Sequence, residues 1–315
     1  MNKTIAIVGA GISGLSCAYL LSENKDHNIK VFAKDFSPNI TSNKAAAFWF
    51  PYHVRNDKRA IQWSKSSYAF YKQLMTDDAT GISMKKLVKA IPEKLLEEDN
   101  SWIDFIPEGE CTTLPTEELK PGIKKAYAVT VPLIETQIFL PYLQHIFEQR
   151  NVVIEKKHIS SFDEIPGFDI IINCSGLGAR DLCHDTSVIP VRGQVALLEP
   201  QTSLPIYLDN DTPLYIVPRK DATIVGGTYE ADVYEEATEP ETIARILQTA
   251  YAFFPELKQK KVIGNWAGLR PFRPRVRVEH EAGTNIIHNY GHAGSGFTLS
   301  FGCAKEVLHL VEQIN

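Results

Sequence analysis

The first 33 residues combine short apolar runs with a glycine-rich turn. The run Thr4–Val8 is rich in β-branched residues, and glycines follow it at positions 9, 11 and 14. Apolar residues then recur with helical spacing over residues 15–21, and a second β-rich run covers Asn28–Ala33. This order predicts strand, turn, helix and strand, which is the βαβ unit that opens a doubly wound sheet.

Further along the chain the hydrophobic pattern changes twice. Helical periodicity covers residues 133–149, a short strand is expected at 152–154, and a continuous apolar run at 168–174 is typical of a strand buried on both faces. After residue 190 the pattern instead predicts an antiparallel sheet that carries the substrate. Its strands are expected at residues 191–198, 214–218 and 222–228.

The carboxyl-terminal third adds two helices to this plan. Residues 230–241 are acidic and are predicted to form an exposed turn before a helix over residues 241–254. A last helix is expected to begin near Thr298. The amino-terminal unit, a central segment and the last fifty or so residues are therefore expected to combine into one discontinuous cofactor domain.

Composition excludes several classes of function. The 315 residues carry a net charge of -5 and are 44% hydrophobic and 23% charged, so no overall basic field favours nucleic acid. No stretch reaches the roughly 20 apolar residues that span a bilayer. We therefore expect a globular protein that binds neither nucleic acid nor membrane.

The cysteines and histidines argue against a disulfide framework and a metal site. The five cysteines are scattered and form no CxxC pair, which fits a reducing cytoplasm. His288 and His292 have the i,i+4 spacing of helical metal ligands, but Asn289 and Gly291 between them favour a strand that ends in a loop. We expect no metal.

The glycine turn predicts a dinucleotide cofactor. Gly9, Gly11 and Gly14 would permit a tight turn, close approach of the backbone to a pyrophosphate and close packing of helix on strand. The pattern alone does not choose between a flavin and a nicotinamide. Lys34 occupies the first place after the second strand, where an acidic residue would hold the adenosine ribose, and Asp35 follows it.

Arg270 is the candidate substrate residue. Its planar guanidinium can bind a carboxylate through two parallel hydrogen bonds, which fixes both position and orientation. The alternative is that Arg270 merely alternates with Arg273, Arg275 and Arg277 along the exposed face of a strand. The residues themselves leave both interpretations open.

Eight segments taken in order resemble the D-amino acid oxidase family, and the likeness covers nearly the whole chain. The glycine turn is shared with many nucleotide-binding proteins, whereas the last two segments are specific to this family and its D-aspartate oxidase relatives. The segments are the turn at 9–14, AAAFWFPY at 45–52, NCSG at 173–176, RGQ at 192–194, YIVPR at 215–219, GGTY at 226–229, GLRP at 268–271 and YGHAG at 290–294.

The resemblance implies roles for individual residues. Arg270 matches the arginine that binds the substrate α-carboxylate, Tyr215 the tyrosine that shares it, Tyr229 a second tyrosine of microbial members, and Gly294 the glycine whose carbonyl receives the amine. Phe48, Phe50 and Val217 would form apolar walls for the substrate side chain. Residues expected at the cofactor are Gly9, Ala10, Gly11, Ile12, Ser13, Gly14, Lys34, Asp35, Thr41, Ser42, Ala47, Phe48, Ile159, Ser175, Gly176, Gly294, Ser295, Gly296, Phe297 and Thr298.

The resemblance also implies an α/β fold in which a Rossmann-like FAD-binding domain interleaves with an antiparallel-sheet α+β substrate domain. The FAD-binding domain is expected to comprise residues 1–54, 131–185 and 268–315. The substrate-binding domain would comprise residues 55–130 and 186–267.

The implied activity is FAD-dependent oxidation of neutral, apolar D-amino acids to 2-oxo acids, ammonia and hydrogen peroxide, with no residue acting as acid or base. Asp209 and Asp211, before Tyr215, would disfavour acidic substrates by like charge. The alternatives are D-aspartate or glycine oxidation, an NAD-dependent dehydrogenase and a non-catalytic flavin-binding protein. The expected partners are the substrate and dioxygen, and we allow for a homodimer.

Overall fold

The structure is a computed structural model that describes residues 2–52, 58–94, 101–209 and 214–314. Its helices are α1 Ile12–Leu21, α2 Thr41–Lys44, α3 Lys58–Leu74, α4 Thr136–Gln149, α5 Ala179–Leu182, α6 Pro240–Phe253 and α7 Gly296–Gln313. Its strands are β1 Thr4–Val8, β2 Asn28–Ala33, β3 Ile82–Pro92, β4 Cys111–Thr113, β5 Ile123–Ile134, β6 Val153–Lys156, β7 Ile170–Asn173, β8 Ile189–Leu198, β9 Ile206–Asp209, β10 Leu214–Pro218, β11 Thr223–Gly226, β12 Glu230–Ala231, β13 Val262–His280 and β14 Ile286–His292.

All of these strands belong to one mixed sheet. Five neighbours, β14, β7, β1, β2 and β6, run parallel and form its nucleotide-binding part. The long strand β13 is antiparallel to β14 on one side and to β8 on the other, and it joins this part to a largely antiparallel part. The expected Rossmann-like unit and the expected antiparallel sheet are both present.

The opening unit forms where its apolar residues can be buried on both faces. Ile5 and Ile7 in β1 have no exposed surface, and nine of the ten residues of α1 are buried. Helices α4 and α7 pack against α1, and α7 also packs on β13 and β14. The central strand and its helix thus form a rigid support for the glycine turn between them.

Several predicted elements agree with the structure, and one predicted boundary is wrong. The bounds of β1, β2 and β10 are those that the pattern predicts, and α6 is shifted by one residue at each end. The helix predicted over residues 133–149 begins only at Thr136. Leu133 and Ile134 instead end β5, because they pair with Ser83 and Ile82 of β3. This non-local pairing overrides the helical periodicity.

The predicted domain division crosses two continuous strands. Strand β5 runs through the boundary expected between residues 130 and 131, and β13 runs through the boundary between 267 and 268. The division stays a prediction.

Among the described residues, no helix is both long and apolar enough to cross a membrane. Within the same ranges, no group of three or more histidine, cysteine or acidic side chains is arranged to hold a metal ion. The five cysteines are free thiols.

Candidate active site

One cavity of about 770 Å³ lies where the carboxyl ends of the parallel strands meet the antiparallel part of the sheet. Its lining includes Gly9 after β1, Lys34 after β2 and Ser175 after β7. At the opposite end the lining includes Arg270 and Gly294. Crevices at the carboxyl ends of parallel strands are the usual dinucleotide sites of such folds.

The glycine turn forms a cradle whose backbone packs too closely on neighbouring backbone to allow side chains at Gly9 and Gly14. Gly9 has a φ of +116°, and a Cβ atom there would lie 2.3 Å from the carbonyl oxygen of Cys174. A Cβ on Gly14 would lie 1.9 Å from the carbonyl oxygen of Gly9. Gly14 does not line the cavity, and it serves close packing of α1 against the turn. These contacts hold the turn tightly against the end of β7 and the start of α1, while Gly9, Ala10 and Gly11 line the cavity where a pyrophosphate would lie.

The amino terminus of α1 faces this cradle. Gly11 caps the helix without a side-chain hydrogen bond, and Ala10, Ile12 and Ser13 line the cavity beside it. The hydroxyl of Ser42 accepts from the backbone N–H of Ile12 at 3.0 Å. Free N–H groups and the helix dipole both favour an anion at this end, so the geometry suits the phosphates of a dinucleotide.

Lys34 and Asp35 line the far end of the cavity, beside the buried Ile159. The carboxylate of Asp35 lies 3.7 Å from the ammonium of Lys156. Lys34 is exposed and Asp35 is half-buried. This end therefore offers a carboxylate that could accept from ribose hydroxyls.

Replacing Asp35 with alanine is expected to weaken FAD binding roughly tenfold, because a hydrogen bond to a charged acceptor is worth about 1.5–3 kcal/mol. Lys34→Ala is the neighbouring control and should change the Kd less than twofold. Titrating the apoprotein of each variant with FAD measures both values. Equal affinity in the two variants would remove Asp35 from the ribose contact.

Arg270 closes the other end of the cavity and is held by a backbone carbonyl. Its Nη1 donates to the oxygen of Thr228 at 3.1 Å, and no carboxylate among residues 2–52, 58–94, 101–209 and 214–314 forms an ion pair with it. A Cβ on Gly193 would lie 2.1 Å from its Nη2. The guanidinium therefore rests on the bare backbone of β8 and keeps donors for an anionic ligand.

Three tyrosines surround this arginine. Tyr52 and Tyr215 line the cavity, and the ring of Tyr215 lies against Gly226, where a Cβ would come within 2.1 Å of its Cζ. Burial raises the pKa of Tyr52 and of Tyr229, while the charge of Arg270 opposes the rise at both phenols. The phenols therefore stay protonated at neutral pH and can donate hydrogen bonds.

Tyr52 is not among the predicted site residues, although it ends the segment 45–52 that resembles the family. A Cβ on Gly294 would lie 2.8 Å from its ring, so Tyr52 covers the glycine expected to receive the substrate amine. Its place in the site depends on contacts across more than 200 residues of sequence.

Two hydroxyls expected at the cofactor hold the cavity wall instead. Ser295 accepts from the backbone N–H of Tyr52 at 2.9 Å and donates to the Tyr52 carbonyl at 2.6 Å. Thr298 makes the same pair of bonds to Phe50, at 3.1 and 2.8 Å. Neither hydroxyl residue lines the cavity. They fix the segment that carries Phe50 and Tyr52 to the start of α7.

Other predicted residues fall into two groups. Residues that line the cavity as expected are Thr41, Ala47, Phe48, Phe50, Ser175, Gly176, Gly296 and Phe297. Val217 and Tyr229 do not line it. Val217 shares a strand face with Tyr215, but it is fully buried in the core two residues beyond the cavity edge. Helix α7 starts at Gly296, two residues before the predicted start, so its amino end borders the cavity.

The wall near Arg270 is apolar. Leu208 pairs with Tyr215 across β9 and β10, and both residues line the cavity together with Phe48 and Phe50. Asp209 is fully buried and does not line the cavity, and Asp211 lies outside the described residues. Asp209 therefore cannot repel an acidic substrate in the cavity. The apolar wall is the remaining feature that disfavours acidic substrates.

The acidic stretch predicted as an exposed turn is partly a structural clamp. Glu230 and Glu239 both accept from the guanidinium of Arg192, which is 7% exposed, and the amide of Gln194 donates to Glu230. Burial alone would raise the pKa of Glu230, but hydrogen bonds from Thr228, Gln194 and Arg192 lower it. This clamp fixes the segment whose Thr228 carbonyl holds Arg270.

The two histidines with i,i+4 spacing, His288 and His292, have separate partners. His288 lies 2.7 Å from a carboxylate oxygen of Glu281, and His292 Nδ1 lies 3.3 Å from the Ser13 hydroxyl. Burial lowers the pKa of His292 to about 4 from the ordinary 6.5. Burial also lowers the pKa of His288, partly opposed by its hydrogen bond to Glu281. Both rings are neutral at pH 7.

The free energy of unfolding should decrease as the pH falls, because His292 is protonated in the unfolded chain at a higher pH than in the folded protein. The free energy of unfolding is expected to drop by up to about 3 kcal/mol between pH 7 and pH 4 from this residue alone. Urea unfolding of the holoprotein across that range measures the loss. In His292→Gln this component should disappear, and an unchanged pH dependence would contradict the assignment.

Comparison with known proteins places this geometry in context. The model of the FAD-dependent oxidoreductase family designated DAO matches residues 4–310. A D-amino-acid oxidase of Rubrobacter xylanophilus is 35% identical, with 96% of this chain and 94% of the relative covered. A D-amino acid oxidase of Dugesia ryukyuensis is 34% identical, with 98% of each chain covered.

Solved structures share the fold at lower identity. The glycine oxidase from Bacillus cereus superposes with a TM-score of 0.80 at 20% identity, over 99% of this chain and 96% of the other. An L-α-glycerophosphate oxidase from Mycoplasma pneumoniae with FAD bound gives 0.77 at 16% identity, over 98% and 94%. These likenesses establish the architecture.

Proposed function

The chain belongs to the DAO family of FAD-dependent oxidoreductases, and we propose that it oxidatively deaminates neutral, apolar D-amino acids to 2-oxo acids, ammonia and hydrogen peroxide. FAD is the cofactor, and a small-molecule substrate and dioxygen are the reactants. The choice of D-amino acids rests on near full-length relatives from a bacterium, a flatworm and Dictyostelium discoideum that carry that name.

The observation that carries the proposal is the position of Arg270. Its guanidinium lies at one end of a cavity whose other end is a dinucleotide cradle, and phenols stand beside it. A carboxylate bound bidentately to Arg270 would be fixed in both position and orientation. The substrate Cα would then lie between the arginine and the part of the cavity bordered by the start of α7.

The residues present fit FAD. Gly9, Ala10 and Gly11 line the cavity where the pyrophosphate would lie, the start of α1 faces it, and the cavity continues from there to Arg270. Bound FAD would supply the acceptor for the hydride lost from the substrate Cα and would pass the electrons on to dioxygen. Residues proposed to hold it are Gly9, Ala10, Gly11, Ile12, Ser13, Asp35, Ser42, Ala47, Phe48, Ile159, Ser175, Gly176, Gly296 and Phe297.

The protein's own contribution is orientation and electrostatics. Arg270 binds the α-carboxylate, the phenols of Tyr52 and Tyr215 donate to it, and the carbonyl of Gly294 accepts from the amine. The neutral amine supplies the electron pair that forms the imine as hydride leaves, so no side chain has to remove a proton from Cα. Holding the reacting atoms in line supplies the rate advantage.

The apolar wall of Phe48, Phe50 and Leu208 sets the proposed side-chain preference. Burying a second carboxylate against these side chains without a partner would be unfavourable, so D-aspartate should react poorly. Glycine would leave the wall uncovered and should bind weakly because it buries less apolar surface.

Peroxide release from a panel of substrates tests this preference. We expect kcat/KM to be highest for D-alanine, D-methionine or D-phenylalanine and at least about tenfold lower for D-aspartate and glycine, since a lost side-chain contact is worth roughly 1–3 kcal/mol. A protein most active on D-aspartate or glycine would keep the flavin site and overturn the pocket assignment. A colourless protein dependent on NAD would refute the whole account.

The remaining expectations are parts of the same proposal. We propose a cytoplasmic protein and a homodimer, and we retain the two-domain division with its discontinuous FAD-binding part. Tyr229 is retained as a residue beside Arg270, because the two groups interact electrostatically.

A further inference from the structure

Arg219 lies in the turn after β10, four residues beyond Tyr215, and its side chain is only 2% exposed. Its guanidinium donates to both carboxylate oxygens of Asp221. It also donates to the hydroxyl of Thr136 at 2.8 Å and to the carbonyl oxygen of Ala45 at 3.1 Å. One buried cation thus connects the strand that carries Tyr215 with α4 and with the chain after α2.

The last two residues of α2 and the residue after it are held at their carbonyls by three different elements. The hydroxyl of Thr136 in α4 donates to the oxygen of Asn43 at 3.2 Å. The indole N–H of Trp266 in β13 donates to the oxygen of Lys44 at 3.0 Å. Arg219 donates to the oxygen of Ala45. Side chains distant in sequence therefore fix each peptide of residues 43–45.

These peptides lead directly into the cavity wall, since residues 44–48 all line the cavity. Within the wall, Ala47 adopts a φ of +55°, which a non-glycine residue adopts only when its surroundings impose it. Its carbonyl accepts from the backbone N–H of Ile134 at 2.8 Å, and the N–H of Trp49 donates to Pro132 at 2.8 Å. The end of β5 thus holds the wall on its downstream side, and the Arg219 group holds it upstream.

A buried ion pair is a poor source of stability, because desolvation offsets most of its attraction. Arg219 has two carboxylates beside it to balance its charge, Asp221 two residues away and the buried Glu135, whose oxygen lies 3.9 Å from its Nε. Its remaining donors reach Thr136 and Ala45, and these contacts determine where the wall stands relative to the cavity. A wall already in its bound arrangement binds a ligand without the cost of ordering.

We propose that Arg219 is a positioning residue for the flavin, which fixes residues 43–48 in the conformation that contacts the cofactor. It acts through the backbone of Ala45 and touches neither substrate nor reacting atoms. The inference rests on FAD binding in the cavity and is independent of which amino acid is oxidised.

Titration of the apoprotein with FAD, followed by flavin fluorescence, tests the proposal in four variants. Arg219→Met removes all the contacts, whereas Arg219→Lys keeps the charge beside Asp221 but lacks a second arm to reach Ala45. Each should raise the Kd for FAD about tenfold or more, since the hydrogen bond to Ala45 and the hydrogen bond to Thr136, which itself holds Asn43, are both lost. Thr136→Val and Trp266→Phe each delete one donor and should raise the Kd roughly fivefold.

Arg192→Met is the matched control. Arg192 is also a buried arginine with two carboxylate partners, but it contacts no residue of the segment 43–48. Its loss should lower the melting temperature. The FAD Kd should stay within about twofold of the parent value, because sites without shared partners influence each other by only about 0.3–0.5 kcal/mol. The visible spectrum of bound flavin should shift in the Arg219 variants and stay unchanged in Arg192→Met.

Two results would overturn the proposal. One is an Arg219→Lys protein that folds and binds FAD with the parent Kd and spectrum. The other is an Arg192→Met protein that loses FAD affinity as strongly, which would reduce the effect to general destabilisation. A yellow protein that releases no peroxide from D-amino acids would refute the proposed function alone, because the FAD titration would still decide the role of Arg219.

Discussion

Replacing Arg270 with alanine should lower kcat/KM for neutral D-amino acids about a thousandfold while FAD stays bound. A charge-assisted bidentate contact contributes about 1.5–3 kcal/mol, and loss of alignment at the reacting carbon adds roughly another hundredfold. Flavin retention follows because the dinucleotide cradle lies at the other end of the cavity. Steady-state peroxide release and the flavin absorbance of the purified variant measure the two effects separately.

Arg275 provides the matched control on the same strand. It is exposed, and Arg275→Ala should stay within about twofold of the parent, as surface substitutions usually do. If both variants lose activity equally, the loss is not specific to Arg270 and does not report its contact with the substrate carboxylate. Near-normal turnover by Arg270→Ala would refute the carboxylate assignment outright.

Adding one methyl group at Gly193 should impair substrate binding almost as severely, without touching the substrate. The new Cβ would lie 2.1 to 2.5 Å from the guanidinium atoms of Arg270, so the arginine must move away. Since the clash is with the end of a flexible side chain, the protein should still fold and bind FAD. We expect kcat/KM to fall about a hundredfold or more, because a displacement of about 1 Å has effects of that size.

Gly264 offers a comparison within the same pair of strands. A Cβ there would meet only Leu197 Cδ1, at 3.4 Å, so Gly264→Ala should be nearly neutral. Peroxide assays on both variants, with FAD content measured in each, give the comparison. A Gly193→Ala protein with parent kcat/KM would show that the guanidinium does not act from its observed place.

The nucleotide-binding part could be predicted from local signals. The strand from Thr4 to Val8, the glycine turn and the helix after it are contiguous in sequence, so the hydrophobic pattern identified them. The start of α4 failed because Leu133 and Ile134 obey the cross-strand pairing with β3 rather than their own periodicity. Pairing partners fifty residues away leave no local trace.

Residue roles at the site divide along the same line. The match of Arg270 to the family segment GLRP predicted its role, and the structure puts Arg270 in the cavity. The use of Gly193 as its platform was not predictable, because it depends on the register of β8 against β13. Ser295 and Thr298 were expected at the cofactor, yet their hydroxyls bond to the backbone of Tyr52 and Phe50, over more than 240 positions.

The role of Arg192 and Gln194 also depends on the sheet, because it follows from which face of β8 each side chain occupies. Successive residues of β8 point to opposite faces, so these two side chains clamp the acidic segment while Gly193 lies under Arg270. A surface turn was the natural interpretation of so many glutamates, and the buried arginine that binds two of them explains the difference.

The central claim, that this flavoprotein oxidises D-amino acids bound through Arg270, is tested most directly by mixing the yellow holoprotein with D-alanine or L-alanine. Flavin absorbance is followed without oxygen, and hydrogen peroxide is measured after air is admitted. The account predicts that D-alanine bleaches the flavin and yields peroxide, that L-alanine does neither, and that Arg270→Ala retains its flavin but bleaches about a thousandfold more slowly. Bleaching of the flavin by L-alanine would contradict the account. So would the absence of bleaching with D-alanine and with every other neutral D-amino acid.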